Sequence, residues 1–139
     1  SLRGWAGVPG HMRQSWGPGW ALVGDAGYFK DPITTHGMTD SLRDAELLSD
    51  RVLDVLGGAS APIALAAYQQ TRDRLSTRLF DATEEVARYD WDCVRARELL
   101  RTVSSAMSDE VDHLQTLPDR RVGPGISAFV PTDNADRAG

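Results

Sequence analysis

Apolar residues recur every three or four positions along much of the chain, the spacing that gathers them on one face of an α-helix. This pattern predicts helices over 38–56, 61–88 and 91–106, and a short fourth helix over 108–117. Each begins or ends near a Ser, Asp, Gly or Pro of the kind found at helix termini. The stripe of the first helix contains Ala45 and Leu56 and four residues that we expect to be screened from solvent: Met38, Leu42, Leu48 and Val52.

The first part of the chain has a different pattern. Residues 1–19 are rich in Gly and contain two Pro, which predicts extended chain and turns. Residues 20–24, with sequence WALVG, form a short apolar run bounded by glycine, which is typical of a buried strand in an α/β sheet. Residues 118–139 are predicted to form a polar C-terminal tail. The predicted fold is therefore mainly α, with three to four helices and one or two short strands near the N-terminus.

Charge and composition narrow the functional classes. The net charge of −5 argues against non-specific nucleic-acid binding, which needs a basic surface. No apolar run approaches the roughly 20 residues that span a bilayer, so we expect no membrane association. Cys93 is the only cysteine, so no disulfide can form within the chain, and we expect a cytoplasmic location. A metal site is not expected, because the histidines and the cysteine lack ligand spacing.

The stretch between the predicted strand and the first helix has the residues of a ligand site. Asp25 follows the strand, at the edge where α/β sheets bind ligands, and Gly24 would let a ligand approach. A carboxylate there suits the hydroxyls of a sugar or polyol. Pro32 stiffens the loop. Gly37 and Met38 open the helix, where unpaired N–H groups favour negative charge.

These residues occur at a spacing that resembles the second FAD-binding signature of flavoprotein monooxygenases of the p-hydroxybenzoate hydroxylase type. The matching elements are Gly24-Asp25-Ala26, Pro32, Gly37-Met38 and Asp44-Ala45. The resemblance implies that Asp25 binds the ribityl chain of FAD and that Pro32 lies beside the isoalloxazine ring. It also implies that the amides of Gly37 and Met38 face the pyrimidine end of the flavin.

Three residues of the same stretch are secondary candidates for cofactor binding: Ala26, His36 and Thr39. His36 precedes the helix and would either reach a flavin or substrate or be an exposed loop histidine. Two charged residues in or near this stretch in sequence are not expected to bind the cofactor. Lys30 is expected to pair locally with Asp31, and Arg43 is expected on the helix surface. No residue is assigned a catalytic role.

The resemblance further implies an FAD-dependent monooxygenase that hydroxylates a small organic substrate with NAD(P)H and O₂. Residues 20–117 would be the C-terminal part of an α/β FAD-binding domain with trailing helices, and 1–19 would come from its sheet or from the substrate-domain junction. The sequence lacks the GxGxxG that binds the ADP half of FAD. We therefore expect a fragment, whose partner is the N-terminal FAD-binding portion of the same enzyme or a complementing chain.

Two alternatives remain open. One is a non-catalytic helical fragment or partner-binding module that has lost FAD binding. The other is flavin-dependent halogenase or reductase chemistry.

Overall fold

The computed structural model describes residues 8–117. The predicted tail over 118–139 and the first seven residues of the 1–19 segment lie outside the described residues. Within the described range the fold is mainly helical, with two pairs of short antiparallel strands before the first helix, which confirms the predicted fold class.

Helices α1 (Gly37–Leu56), α2 (Ala61–Ala87) and α3 (Cys93–Gln115) follow one another along the chain, and α2 packs against both of the others. Gly57 and Gly58 end α1, with Gly58 in a left-handed conformation that glycine adopts without strain. Pro62 lies in the first turn of α2, where its missing N–H has no cost. The first two predicted helices are confirmed to within a residue at each end. None of the helices in residues 8–117 is long and apolar enough to cross a membrane.

The predicted break near residue 107 is wrong, because α3 continues through it. Ser108 does not cap a fourth helix. Its hydroxyl donates to the carbonyl of Ser104 one turn earlier, at 3.2 Å. The cap of α3 is Asp92, whose carboxylate accepts the N–H of Arg95 at 2.8 Å. No Gly or Pro occurs between residues 93 and 115, so the backbone has no reason to break.

The predicted buried strand over 20–24 is also wrong. The strands are β1 (His11–Met12), β2 (Trp16–Gly17), β3 (Trp20–Ala21) and β4 (Tyr28–Phe29), with β1 paired to β4 and β2 paired to β3. The turn at Pro18-Gly19 folds β3 back on β2 as a small hairpin, which leaves Trp20 46% exposed. Gly24–Ala26 then forms a 3-10 turn instead of continuing the strand.

Two apolar clusters hold the helices together. One joins α2 to α3 and contains Leu79, Ala82, Val86, Leu99, Val103 and Ala106. The other joins α1 to α2 and contains Leu47, Tyr68 and Leu75. The buried face of α1 is otherwise polar.

The predicted orientation of α1 is therefore wrong. Met38 is 82% exposed, Leu42 is 74% exposed and Val52 is also exposed, whereas Leu48 is half-buried. The opposite stripe of the helix is buried, and it consists of Asp40, Arg43, Asp44, Leu47 and Asp50. These positions also repeat at steps of three and four, so both stripes have helical spacing. The polar stripe is the one that faces the interior, where Arg43 is paired with three carboxylates.

Candidate functional site

The first and last elements of the flavin-like motif meet directly. The Gly24–Ala26 turn lies on α1, and the N–H of Gly24 donates to Asp44 Oδ2 at 3.0 Å in a buried position. Gly24 has φ +52°, and a Cβ added there would overlap the Ser41 hydroxyl. Glycine at this position therefore lets the turn and the helix approach each other closely.

Asp25 reaches from this turn to the start of α1. An added Cβ at Gly37 would lie 3.7 Å from Asp25 Oδ1, and the Asp25 side chain is exposed. The side chain of His36, which precedes the helix, makes no capping hydrogen bond. The first-turn amides, including that of Met38, have no partner within an α-helix. An exposed carboxylate and a helix N-terminus thus share one corner of the surface.

The other candidates around this corner are also at the surface. The side chains of Ala26, Met38 and Thr39 are exposed. Pro32 is exposed too. It opens the 3-10 turn Pro32–Thr34, in which the Thr34 hydroxyl lies 3.2 Å from that of Thr83 on α2.

His36 is neither an exposed loop histidine nor directed at this corner. Its side chain is 12% exposed, and Nε2 lies 2.5 Å from Oε2 of Glu110, a residue of α3. Burial would raise the pKa of Glu110, but the hydrogen bonds and charges of His36 and Arg43 outweigh it and hold that pKa below the ordinary value of 4.5. The contact fixes the residue before α1 to the last helix.

Arg43 is buried, so the prediction of a surface position is wrong. The residue is 2% exposed. Its Nη1 donates to Asp40 Oδ1 at 3.1 Å and to Glu110 Oε1 at 2.9 Å. Its Nη2 donates to Asp44 Oδ1 at 2.8 Å. A buried arginine with five donors is well suited to bridge three carboxylates from two helices.

Hydroxyl groups complete the shell around the guanidinium. Nη2 of Arg43 also donates to the hydroxyls of Tyr28, at 2.7 Å, and Ser76, at 2.8 Å. Burial raises the pKa of Tyr28 to about 12. The Tyr28 ring also lies 5.0 Å from Nζ of Lys30 and 5.6 Å from the guanidinium carbon of Arg72. Strand β4 is thereby tied to α1 and α2.

Lys30 joins this buried cluster, so the predicted local pair with Asp31 is wrong. Its ammonium group is buried and pairs with Asp40. Burial, together with the charge of Arg43, lowers the pKa of Lys30 to about 8. Asp31 instead accepts the N–H of Ile33 at 2.9 Å and caps the turn after it.

Three of these groups have the donor chemistry of a metal site. One donor atom each from His36, Asp40 and Glu110 lie within 4.8 Å of one another. The two carboxylates are, however, already engaged by Lys30, Arg43 and His36 itself. The arrangement is a buried ion-pair network that holds α1, α3 and Lys30, the residue after β4, together.

Sequence reasoning missed this network for a physical reason. The i, i+3, i+4 spacing of Asp40, Arg43 and Asp44 is visible on a helix, but it is equally typical of a solvated face. The deciding partners are Glu110, 67 residues further along, and Lys30, on the preceding loop. The local sequence pattern around Arg43 does not predict where Glu110 or Lys30 lies in the fold.

Comparison with protein-family models, with curated proteins and with solved structures found no match.

Proposed function

We propose that this chain is the C-terminal, flavin-contacting part of an FAD-dependent oxidoreductase, a monooxygenase that hydroxylates a small organic substrate with NAD(P)H and O₂. The observation that carries the proposal is the Gly24–Asp44 hydrogen bond at 3.0 Å. It joins the two ends of the flavin-like motif, which lie 20 residues apart in sequence. The two ends of the motif are thus in direct contact in the fold.

The residues at the start of α1 fit a flavin in chemical type. Asp25 is exposed and would accept hydrogen bonds from the ribityl hydroxyls. The amides of Gly37 and Met38 would face the pyrimidine end, where the positive end of the helix dipole favours negative charge. The bound flavin would supply the redox chemistry. Pro32 would lie along the ring, and Ala26 and Thr39 would border the cofactor.

The exposed stripe of α1 supports the second half of the proposal, that more protein covers this site. Met38, Leu42, Val52, Leu53 and Leu56 are all exposed on this helix. Exposed apolar side chains that share one helix face are typical of a protein contact. The stripe begins at Met38, beside the candidate flavin corner. An N-terminal FAD-binding portion of the same enzyme, or a complementing chain, would cover both at once.

Flavin binding is the direct test. FAD is titrated into the chain, alone and mixed with a candidate N-terminal FAD-binding portion, and quenching of flavin fluorescence is measured. We expect binding in the mixture, weakened by Asp25→Ala and unaffected by the charge-matched control Asp81→Ala on the exposed surface of α2. An absence of binding in both forms, or equal loss in the two variants, would overturn the proposal.

The same stripe also favours the alternative of a helical partner-binding module without FAD. A partner that binds α1 while neither protein retains flavin would support that alternative. Where flavin is retained, product analysis with NAD(P)H, O₂ and halide distinguishes hydroxylation from halogenase or reductase chemistry. The exposed free thiol of Cys93 fits the cytoplasmic location that we propose for either form.

A further inference from the structure

A cavity lies beside the Pro32–Thr34 turn and is lined in part by Ile33 and Thr34. It has a volume of about 430 Å³ between this turn, the end of α2 and the first half of α3. Val86, Leu99 and Val103 form its inner wall and are buried. The volume falls in the range of small-molecule pockets, roughly 300–1,000 Å³.

Two aromatic residues of the connection between α2 and α3, Tyr89 and Trp91, line the cavity. Tyr89 has φ +56°, a left-handed conformation that is strained for a bulky residue. The Trp91 indole donates its Nε1–H to the carbonyl of Val86 at 3.0 Å, so its only polar atom is satisfied. The two ring centroids lie 6.3 Å apart. The connection thus presents aromatic surface to whatever occupies the cavity.

The polar groups of the lining define the ligand. The residues that line the cavity carry no charged side chain, which disfavours an ionic ligand. Thr83 donates its hydroxyl hydrogen to the carbonyl of Leu79 at 2.7 Å, so it must accept from Thr34 in their 3.2 Å contact. The Thr34 oxygen, a donor in that contact, retains lone pairs for a ligand. The other hydroxyl of the lining belongs to Tyr89, which is 71% exposed, so Thr34 is the more enclosed acceptor.

From this geometry we propose that the cavity binds a neutral aromatic molecule that carries one hydrogen-bond donor. The hydroxyl oxygen of Thr34 accepts the hydrogen bond from that donor. The rings of the molecule pack between Trp91 and the aliphatic wall formed by Leu99 and Val103. No residue of the cavity lining belongs to the Asp25–Gly37 corner, and binding in the cavity requires no flavin. The test of this proposal therefore succeeds or fails independently of the proposed function.

Indole serves as the probe, because it is neutral and has one N–H donor and no strong acceptor. The matched control ligand is 1-methylindole, which lacks the N–H donor. Binding to the full 139-residue chain without FAD is measured by calorimetry. Thr34→Val removes the hydroxyl at nearly constant shape, and we expect it to weaken indole binding by about two- to tenfold, as expected for one hydrogen bond. Binding of 1-methylindole should not change.

Filling the cavity gives the second measurement. Ala96 lines the cavity, so Ala96→Trp should abolish the binding of both probes. The control Ser105→Trp places the same ring at an exposed position of the same helix, outside the cavity lining, and should leave binding intact. Thr77→Val, on the surface of α2, is the control for the threonine variant. The proposal is overturned if the unaltered chain binds neither probe. That result is expected if another segment of the chain fills the cavity. Equal effects of a variant and its control would also overturn it.

Discussion

Replacing Arg43 by Met tests the central feature of this fold, a guanidinium buried among three carboxylates. Methionine keeps much of the aliphatic length of the side chain but removes all five donors. Asp40, Asp44 and Glu110, each at most 2% exposed, would lose their shared cation. The Tyr28 hydroxyl would lose a donor as well.

The cost is estimated from what remains. Asp40 keeps Lys30, and Glu110 keeps His36, so neither carboxylate is left without a partner. Of the hydrogen bonds to the Asp44 carboxylate within residues 8–117, only that from the N–H of Gly24 remains, together with the attraction of the nearby Lys30 charge. Removing one partner of a buried ion pair typically costs 3–5 kcal/mol, so we expect a loss of about 4 kcal/mol. This is a large share of the roughly 5–15 kcal/mol that stabilises a domain.

Urea unfolding followed by circular dichroism measures the loss as a change in midpoint at constant slope. The matched control is Arg78→Met, which breaks a 2.6 Å pair with Asp109 between two exposed side chains. Surface pairs of this kind contribute about 0–1 kcal/mol. A loss below about 1 kcal/mol for Arg43→Met, or one equal to the control, would refute the structural role assigned to the buried cluster.

Three further predictions test other parts of the structure. The pKa of Glu110 is lowered on folding, so the stability that its carboxylate contributes is present above pH 4.5 and is lost as the pH falls through the pKa of the folded state. In an acid titration, Glu110→Gln should therefore lose less stability than the unaltered chain. Gly24→Ala should destabilise the chain by more than about 1 kcal/mol in urea, because of its positive φ and the overlap with Ser41, and Ser41→Gly should restore part of the loss. Leu42→Ser should change the free energy of unfolding by less than about 0.5 kcal/mol, whereas Leu47→Ala should cost about 2–5 kcal/mol. The reverse order would mean that α1 faces the other way.

The helices could be predicted because their signals are local. Apolar spacing and the glycines at 57–58 placed α1 and α2 to within a residue at each end. The extra break predicted near Ser108 came from treating a residue suited to capping as a cap. A serine within a helix can also satisfy its hydroxyl on the preceding turn, as Ser108 does.

The orientation of α1 could not be predicted from spacing alone. The helix has an apolar stripe and a polar stripe, and the hydrophobic effect favours burying the first. The buried contacts of Arg43 with Glu110, Tyr28 and Ser76 come from three other elements of the fold. Those partners satisfy the donors of Arg43, so the polar stripe can be buried without leaving this charge unpaired. Because they are remote in sequence, the local pattern gave the opposite answer.

The flavin-like motif and the ion-pair network share Asp44, which determines how the residues of each should be tested. Oδ1 of Asp44 accepts from Arg43, and Oδ2 accepts from the N–H of Gly24. The turn that carries Asp25 is therefore held in place by the buried cluster. An Asp44 variant would disturb both the fold and the turn, so a loss of FAD binding in it would not identify a cofactor contact. Asp25 is exposed and, among the described residues, accepts no hydrogen bond from the buried cluster, although its charge acts on Lys30. It is therefore the residue whose removal best separates a ligand role from a structural one.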